Sequence, residues 1–547
     1  MTHDLIPGTT RRGFLRLAGA MGAAAALTGS LAACGTTPAQ RQTTGTGTEG
    51  TAGPAAANEQ GTITAGISYE LGTNGYDPMT TTAALTLAAN WHTMEGLTEI
   101  LPSGEREVYP ALASALPTQV DDTTWEATLR DGAVLHDGTP VTPDDVVFSF
   151  NRVMDEANNS LYRQFITFIS SVEASGDNAV RINLAYPFSL VAERLAVVKI
   201  VPRAAVEAGA EAFDANPVGT GPWRMTDNSA TSREIVFERF DDYTGTRPAR
   251  AARMVWSIMP DNATRMNALS SGSVQAMDLV PELSIPTLQD SATVASEQGF
   301  GLLFAMFNNG RAPFDDVRNR QAFLYAIDMD KVVQTAYQGN ATPATSFLQE
   351  THPSYHEAST VYAFNADRAR ELLAETGLTS FRMMCTNHGW VQLATPIIRE
   401  SLEAVGLSVE FDERQSSEAY NAITGAENLD AYDVLVAPGD PSVFGSDADL
   451  LLRWWYAGDT WTEARMHWKG SDSYNRVQTL LEEGSRQTGA EQEATWGEIF
   501  DLLSEEVPLY PLFHRKTTTG YDDATLVDFQ PIALTGLSFV DVGTTNA

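Results

Sequence analysis

The chain has 547 residues, with 35 lysines and arginines against 70 aspartates and glutamates, and a formal charge of −35. Hydrophobic residues make up 43% and charged ones 19%. At about 150 residues per domain this suffices for two or three domains with large cores, and it excludes a disordered or fibrous protein. The acidic excess argues against a nucleic-acid partner, because phosphate binding needs clustered positive charge. Two cysteines, Cys34 and Cys385, make no disulfide framework.

At the N-terminus Arg11-Arg12-Gly13-Phe14-Leu15-Arg16 precedes an uncharged stretch, Leu17 to Ala33, ending in Leu31-Ala32-Ala33-Cys34. This Ala- and Gly-rich stretch is a weak membrane span, which needs about 20 strongly apolar residues. It suits the apolar region of an export signal. The segment resembles a twin-arginine signal joined to a bacterial lipoprotein box. That resemblance implies cleavage before Cys34, lipidation of its sulfur, and a mature protein tethered outside the cytoplasmic membrane, with stable anchoring from more than one acyl chain. No later stretch is apolar over the ~18 residues that would mark a second span.

Removal of residues 1–33 takes away three arginines and Asp4, leaving a charge of −37. Residues 34–60 are rich in Thr, Gly, Ala, Pro and Gln and read as a flexible tether. Gly45-x-Gly47-x-x-Gly50 within it lacks the flanking strand and helix of a dinucleotide site.

The folded chain begins near Gly61. Ile63 to Ile67 alternates as a first strand, broken by the Glu70–Pro78 loop. Trp125–Leu129 alternates in the same way. Thr142-Pro143-Asp144-Asp145 predicts a helix start, with Val146, Phe150 and Val153 on one face. Val180–Leu184 is another strand, and Phe304–Phe307 is an apolar run ending at Asn308-Asn309-Gly310. Helices are expected over about 315–327, over 330–337, and from Asn365 to a stop at Gly377. Phe381–Cys385 and Tyr432–Val436 read as strands, and Leu450–Tyr456 reads as helical. A late strand, Val507–Phe513, precedes a Thr- and Asp-rich end. Strands and helices mix without a strict βαβ rhythm, so pattern alone leaves α/β and α+β open.

The order of segments resembles the large extracytoplasmic solute-binding proteins of ABC importers, specifically the peptide, nickel and oligosaccharide family. The matching stretches are Glu95-Gly96-Leu97, Tyr109-Pro110-Ala111-Leu112-Ala113, and Leu129-Arg130-Asp131-Gly132 through His136-Asp137-Gly138-Thr139-Pro140 to Asp144-Asp145-Val146-Val147-Phe148-Ser149. Val218-Gly219-Thr220-Gly221-Pro222-Trp223, Phe307-Asn308-Asn309, Pro313-Phe314-Asp315-Asp316-Val317-Arg318 and Ala326-Ile327-Asp328 continue the match. The resemblance implies an α/β fold of the two-lobed periplasmic-binding type II class, with mixed sheets and an extra subdomain. Lobe I would comprise 61–303 and 515–547, with the subdomain at about 82–215, and lobe II would comprise 304–514. The strands crossing between the lobes map to Leu302–Phe307 and Leu509–Arg515.

The implied function is capture of a peptide, or another small solute, for delivery to an ABC permease. The resemblance implies a monomer without a cofactor, tied to the membrane through Cys34. Oligosaccharide and nickel-chelate binding stay open, the former through Trp454, Trp455, Trp461 and Trp468. The family places an acidic residue after a lobe II strand to hold a peptide ammonium. Here that loop is Ala437-Pro438-Gly439-Asp440-Pro441. It departs from the family pattern, because Asp440 stands directly before Pro441 with no earlier acid. Further candidate ligand contacts are Tyr69, Asn74, Asn308, His388, Trp390 and Trp455. The chain carries no GxSxG, HExxH or Walker motif, so an exported hydrolase is a remote alternative. His352 and His356 are separated by Pro353 and Ser354, which spoils a helical metal pair.

Overall fold

The computed structural model describes residues 56–69, 75–229, 231–425 and 429–546. Cys34 and Asn74 lie outside the described residues, as do the expected signal at 1–33 and most of the expected tether at 34–60.

Strand Thr62–Ile67 buries Ile63, Ala65 and Ile67. It lies parallel between Arg253–Ile258 and Ala276–Asp278, and Glu234–Arg239 and Trp223–Asp227 extend this group antiparallel. A second group centres on Ser380–Thr386, parallel to both Ser408–Arg414 and Val434–Gly439. Two long antiparallel strands, Thr293–Phe307 and Leu509–Tyr521, join the groups into one eleven-stranded sheet. Leu302–Phe307 pairs with Val434–Gly439 in the second group, whereas Tyr521–Thr519 pairs with Ala276–Asp278 in the first. The ladder between the long strands shifts register between Gln298 and Leu302, where the partners change.

The last strand is longer than the sequence pattern indicates. It runs past Phe513 to Tyr521, because the buried β-branched residues Thr517, Thr518 and Thr519 pair with Thr293–Phe307, and Thr519 pairs with Ala276–Asp278 on its other side as well. Threonine suits such a pleated surface although its polarity hides it from a hydrophobicity reading.

A separate antiparallel sheet orders Thr118–Asp121, Thr124–Thr128, Ala179–Leu184 and Ile169–Ala174. Helix Pro143–Met154 packs on it through Val146, Phe150 and Val153. The Thr142 side chain accepts from Asp145 N–H while Asp145 accepts from Thr142 N–H, closing a reciprocal cap. Gly219 and Gly221 pass so close to the end of helix Ala84–Thr93 that a Cβ on Gly219 would stand 2.0 Å from the Thr93 carbonyl oxygen. That approach explains the two glycines of the Gly219-Thr220-Gly221-Pro222 turn.

Helices Val317–Ala326, Met329–Tyr337 and Ala366–Thr376 start at the caps Asp316, Asp328 and Asn365, and Gly377 ends the last at φ 77°. Helix Ala448–Tyr456 lies in the same core cluster as the small sheet. There Phe165 stacks on Trp454 with ring centroids 5.9 Å apart, and Phe444 lies 4.9 Å from Tyr162. No helix among the described residues is long and apolar enough to cross a membrane.

Candidate ligand-binding site

Ligands of open α/β sheets bind outside the carboxyl ends of parallel strands, where loops diverge and leave a crevice. In this chain four such ends converge. Tyr69 follows Thr62–Ile67, Asp278 ends Ala276–Asp278, His388 follows Ser380–Thr386, and Asp440 follows Val434–Gly439. The two long strands supply the floor, from which Arg515 rises.

Arg515 is 5% exposed, and its guanidinium carbon lies 4.5 Å from the centre of the half-buried Trp390 ring. Trp390 is held from behind by Tyr337, whose hydroxyl donates to the Trp390 carbonyl at 2.8 Å, and by Phe513. Tyr69 faces the same guanidinium. Burial pushes its phenol up to about 12, against the Arg515 charge and hydrogen bond, which pull it down. His388 is lowered to about 4, mainly by burial and further by Arg515, so its ring is neutral at pH 7. Its Nδ1 lies 3.1 Å from the Thr386 hydroxyl. Burial raises Asp278, and Arg265 and Ser68 work against it; Ser68 donates to it through N–H at 2.8 Å and hydroxyl at 2.7 Å. Burial also raises Glu282, against the Arg515 charge.

Tyr69, His388 and Trp390 therefore meet around one arginine. The other described candidates spend their side chains differently. Asn308 is buried, donating through Nδ2 to the carbonyls of Leu429 and Tyr432 at 2.6 and 3.1 Å and accepting from Gly310 N–H. It locks a turn. Trp455 is interior and packs against Phe304 and Trp461. Trp454, Trp461 and Trp468 are likewise buried, so this set offers no open face for sugar stacking. Asp440 Oδ2 accepts from the N–H and hydroxyl of Thr535, both at 2.9 Å, and Oδ1 accepts from the Ser442 hydroxyl. Its carboxylate ties its own loop to the C-terminal segment.

A neighbouring cavity is lined by Trp91, Glu99, Arg106, Lys199, Phe444 and Leu534, among others. Lys199 pairs with Glu99 at 2.5 Å. Arg106 has a buried Nε without a partner; burial lowers it to about 10, against the charges of Asp440 and Asp447. Sequence reasoning missed both Arg106 and Arg515. Arg515 follows an apolar run and reads as the polar end of a strand, and only the sheet pairing shows that it stays inside. Arg106 sits in a polar loop, without any local signal.

A second group of charges bridges distant segments. Arg194, on helix Val191–Leu195, donates to Asp447, to Asp449 at 2.9 Å and to the Phe165 carbonyl at 3.0 Å. Arg453 donates to the other Asp449 oxygen at 2.8 Å. Among the described residues, no group of three His, Cys, Asp or Glu side chains is arranged to hold a metal ion.

Two strand groups, two long crossing strands and convergent carboxyl ends define a two-lobed binding protein of the periplasmic type II class. A solved dipeptide-binding protein from Pseudoalteromonas sp. SM9913, in complex with Met-Leu, superposes with a TM-score of 0.78 at 20% identity, covering 88% of this chain and 100% of that one. The family model for bacterial extracellular solute-binding proteins, family 5 Middle, matches residues 107–475, and the chain belongs to that family. It is 29% identical over 330 residues to the dipeptide-binding protein of Escherichia coli K12, covering 56% of this chain and 61% of that one. To the heme-binding protein A of Haemophilus influenzae it is 30% identical over 330 residues, covering 54% and 58%. The matches thus span about three fifths of these two curated relatives.

Proposed function

We propose that this protein captures a peptide, or a small solute of similar chemistry, between its two lobes and delivers it to an ABC-type membrane permease. Lobe I comprises 61–303 and 515–547, including the subdomain at about 82–215, and lobe II comprises 304–514. The observation that carries this reading is the convergence of Tyr69, His388 and Trp390 on Arg515, from strands belonging to both groups. A cleft of this kind binds by shape and a few fixed polar groups. The ligand favours the closed arrangement by its greater affinity for it, and the permease reads closure. No covalent step is involved, so the protein is a carrier and not an enzyme. It works as a monomer outside the cytoplasmic membrane, anchored by lipid on Cys34, with residues 34–60 as tether. The relatives that bind dipeptides favour peptide over sugar.

Native mass spectrometry of the purified protein tests this. The expected result is a co-purified mass that matches a peptide and leaves on unfolding. A ligand-free protein that also ignores randomised peptide pools would overturn the peptide assignment.

A further inference from the structure

We propose that the cavity between helix Ala84–Thr93 and Phe444 is a second subsite of the cleft, built for a neutral carboxamide on an apolar stem. The proposal rests on the solute-binding reading above and names one part of the solute.

Two orphan polar atoms are the first reason. Asn90, on that helix, lines the cavity and is 2% exposed. It donates through Nδ2 to the Tyr76 carbonyl at 3.1 Å, while its buried Oδ1 has no partner. Arg106, another lining residue, has a buried Nε without a partner. The cavity thus presents one unanswered acceptor and one unanswered donor. Buried polar groups left unpaired are costly, so a ligand group that answers both offsets that cost.

The placement of Arg106 is the second, independent reason. It lies in the loop between strands Thr98–Ile100 and Val108–Pro110, at φ 56°, in the left-handed region that favours glycine. Backbone strain of this kind gathers at ligand clamps.

The surroundings select the charge of the ligand group. Lys199 is already answered by Glu99. Asp440 and Asp447 lend Arg106 their charge, but their oxygens are engaged by Thr535 and Ser442 and by Arg194. A ligand carboxylate would meet these three acids and the orphan Asn90 oxygen. An ammonium would meet Arg106 itself. A carboxamide avoids both conflicts, because its oxygen accepts from Arg106 and its NH2 donates to Asn90.

The remaining wall is apolar, from Leu87, Trp91, Val197, Phe444 and Leu534. The Tyr162 hydroxyl is spent on the Thr81 carbonyl and does not compete. Phe444 follows Asp440 closely and Leu534 precedes Thr535, the residue that Asp440 binds, so the cavity adjoins the end of strand Val434–Gly439. With the lobe boundaries proposed above, its walls come from both lobes, and a solute that fills it favours their closure.

The test uses three tripeptide pools, with one position fixed as Gln, Glu or Met and the other two drawn from Ala, Val and Leu, read by native mass spectrometry. The fixed side chains are similar in shape and differ at the tip. Wild type is expected to bind the Gln pool roughly 10- to 100-fold more tightly than the other two. Arg106→Met is expected to remove most of that preference and to keep the urea midpoint, since the Nε it removes bonds nothing. Retention of all three pools with equal affinity by wild type, or an undiminished Gln preference in a folded Arg106→Met, overturns the proposal. A second arm needs no peptide. Wild-type crystals soaked in propionamide are expected to show it in the cavity, its oxygen toward Arg106 and its nitrogen toward Asn90. A cavity that holds only water after the soak overturns the proposal. Propionamide seated there with every pool rejected instead overturns the peptide reading and leaves the carboxamide subsite standing.

Discussion

Three histidines are buried where a second proton has no partner. His92 Nδ1 donates to the Ala88 carbonyl at 2.7 Å and its Nε2 accepts from Phe539 N–H at 2.9 Å. His136 donates to the Gly221 carbonyl at 3.0 Å and accepts from Gly219 N–H, and His514 Nδ1 meets the Phe300 carbonyl at 2.7 Å. Burial is the main cause that lowers each from 6.5 to about 4. The unfolded chain takes up these protons near pH 6.5 and the folded chain only near pH 4. Their contribution is therefore fully present above pH 6.5 and lost as pH falls toward 4, by up to about 1.4 kcal/mol per histidine per unit. Urea unfolding at stepped pH from neutral to about 4.5 should show this decline, with a shallower slope in His92→Gln. An identical slope in that variant would refute the assignment to His92. None of these burial depths is readable from the histidines' own neighbours in sequence. His388 and Trp390 were readable as site candidates because they follow a strand, but the arginine that unites them with Tyr69 arrives from 125 residues further along the chain.

At the level of elements, local chemistry was the most legible part. Thr142, Asn365 and Gly377 stand where capping rules put them, because a cap is a contact among residues three or four apart. Replacing Thr142 by Ala removes the acceptor for the Asp145 N–H and should cost about 1 kcal/mol, measured as a shift in the urea midpoint at constant slope. A variant of unchanged stability would mean that water replaces the cap without loss. Where neighbours in space set the outcome, reading failed. The Thr-rich end of the last strand is a strand only because partners lie on both sides.

At the level of the molecule, Arg194 pairs with Asp447 and Asp449 at the start of helix Ala448–Tyr456, more than 250 residues further along the chain. It is 1% exposed, as part of the face where Phe165 meets Trp454. With the lobe boundaries proposed above, this network bridges lobe I and lobe II and is expected to favour closure. Arg194→Gln leaves Asp447 unpaired and Asp449 with Arg453 alone, a loss of about 3 kcal/mol by analogy with broken buried pairs. Small-angle scattering of the variant without ligand should show a larger radius of gyration, with weaker solute binding. Superimposable scattering profiles and equal affinity would exclude a role in closure.

The sequence by itself determined the acidic balance, the family and its two-lobed α/β plan, because these rest on order, composition and short motifs. The length first met as two or three domains became one fold with crossing strands. Tertiary structure alone decided which charges stay inside and what they face. Asp440 accepts hydrogen bonds from Thr535 and Ser442, Asn308 and Trp455 lie in the interior, and Arg515 is buried against Trp390. The physical reason is that burial and pairing depend on residues brought together across hundreds of positions, and no local pattern records them.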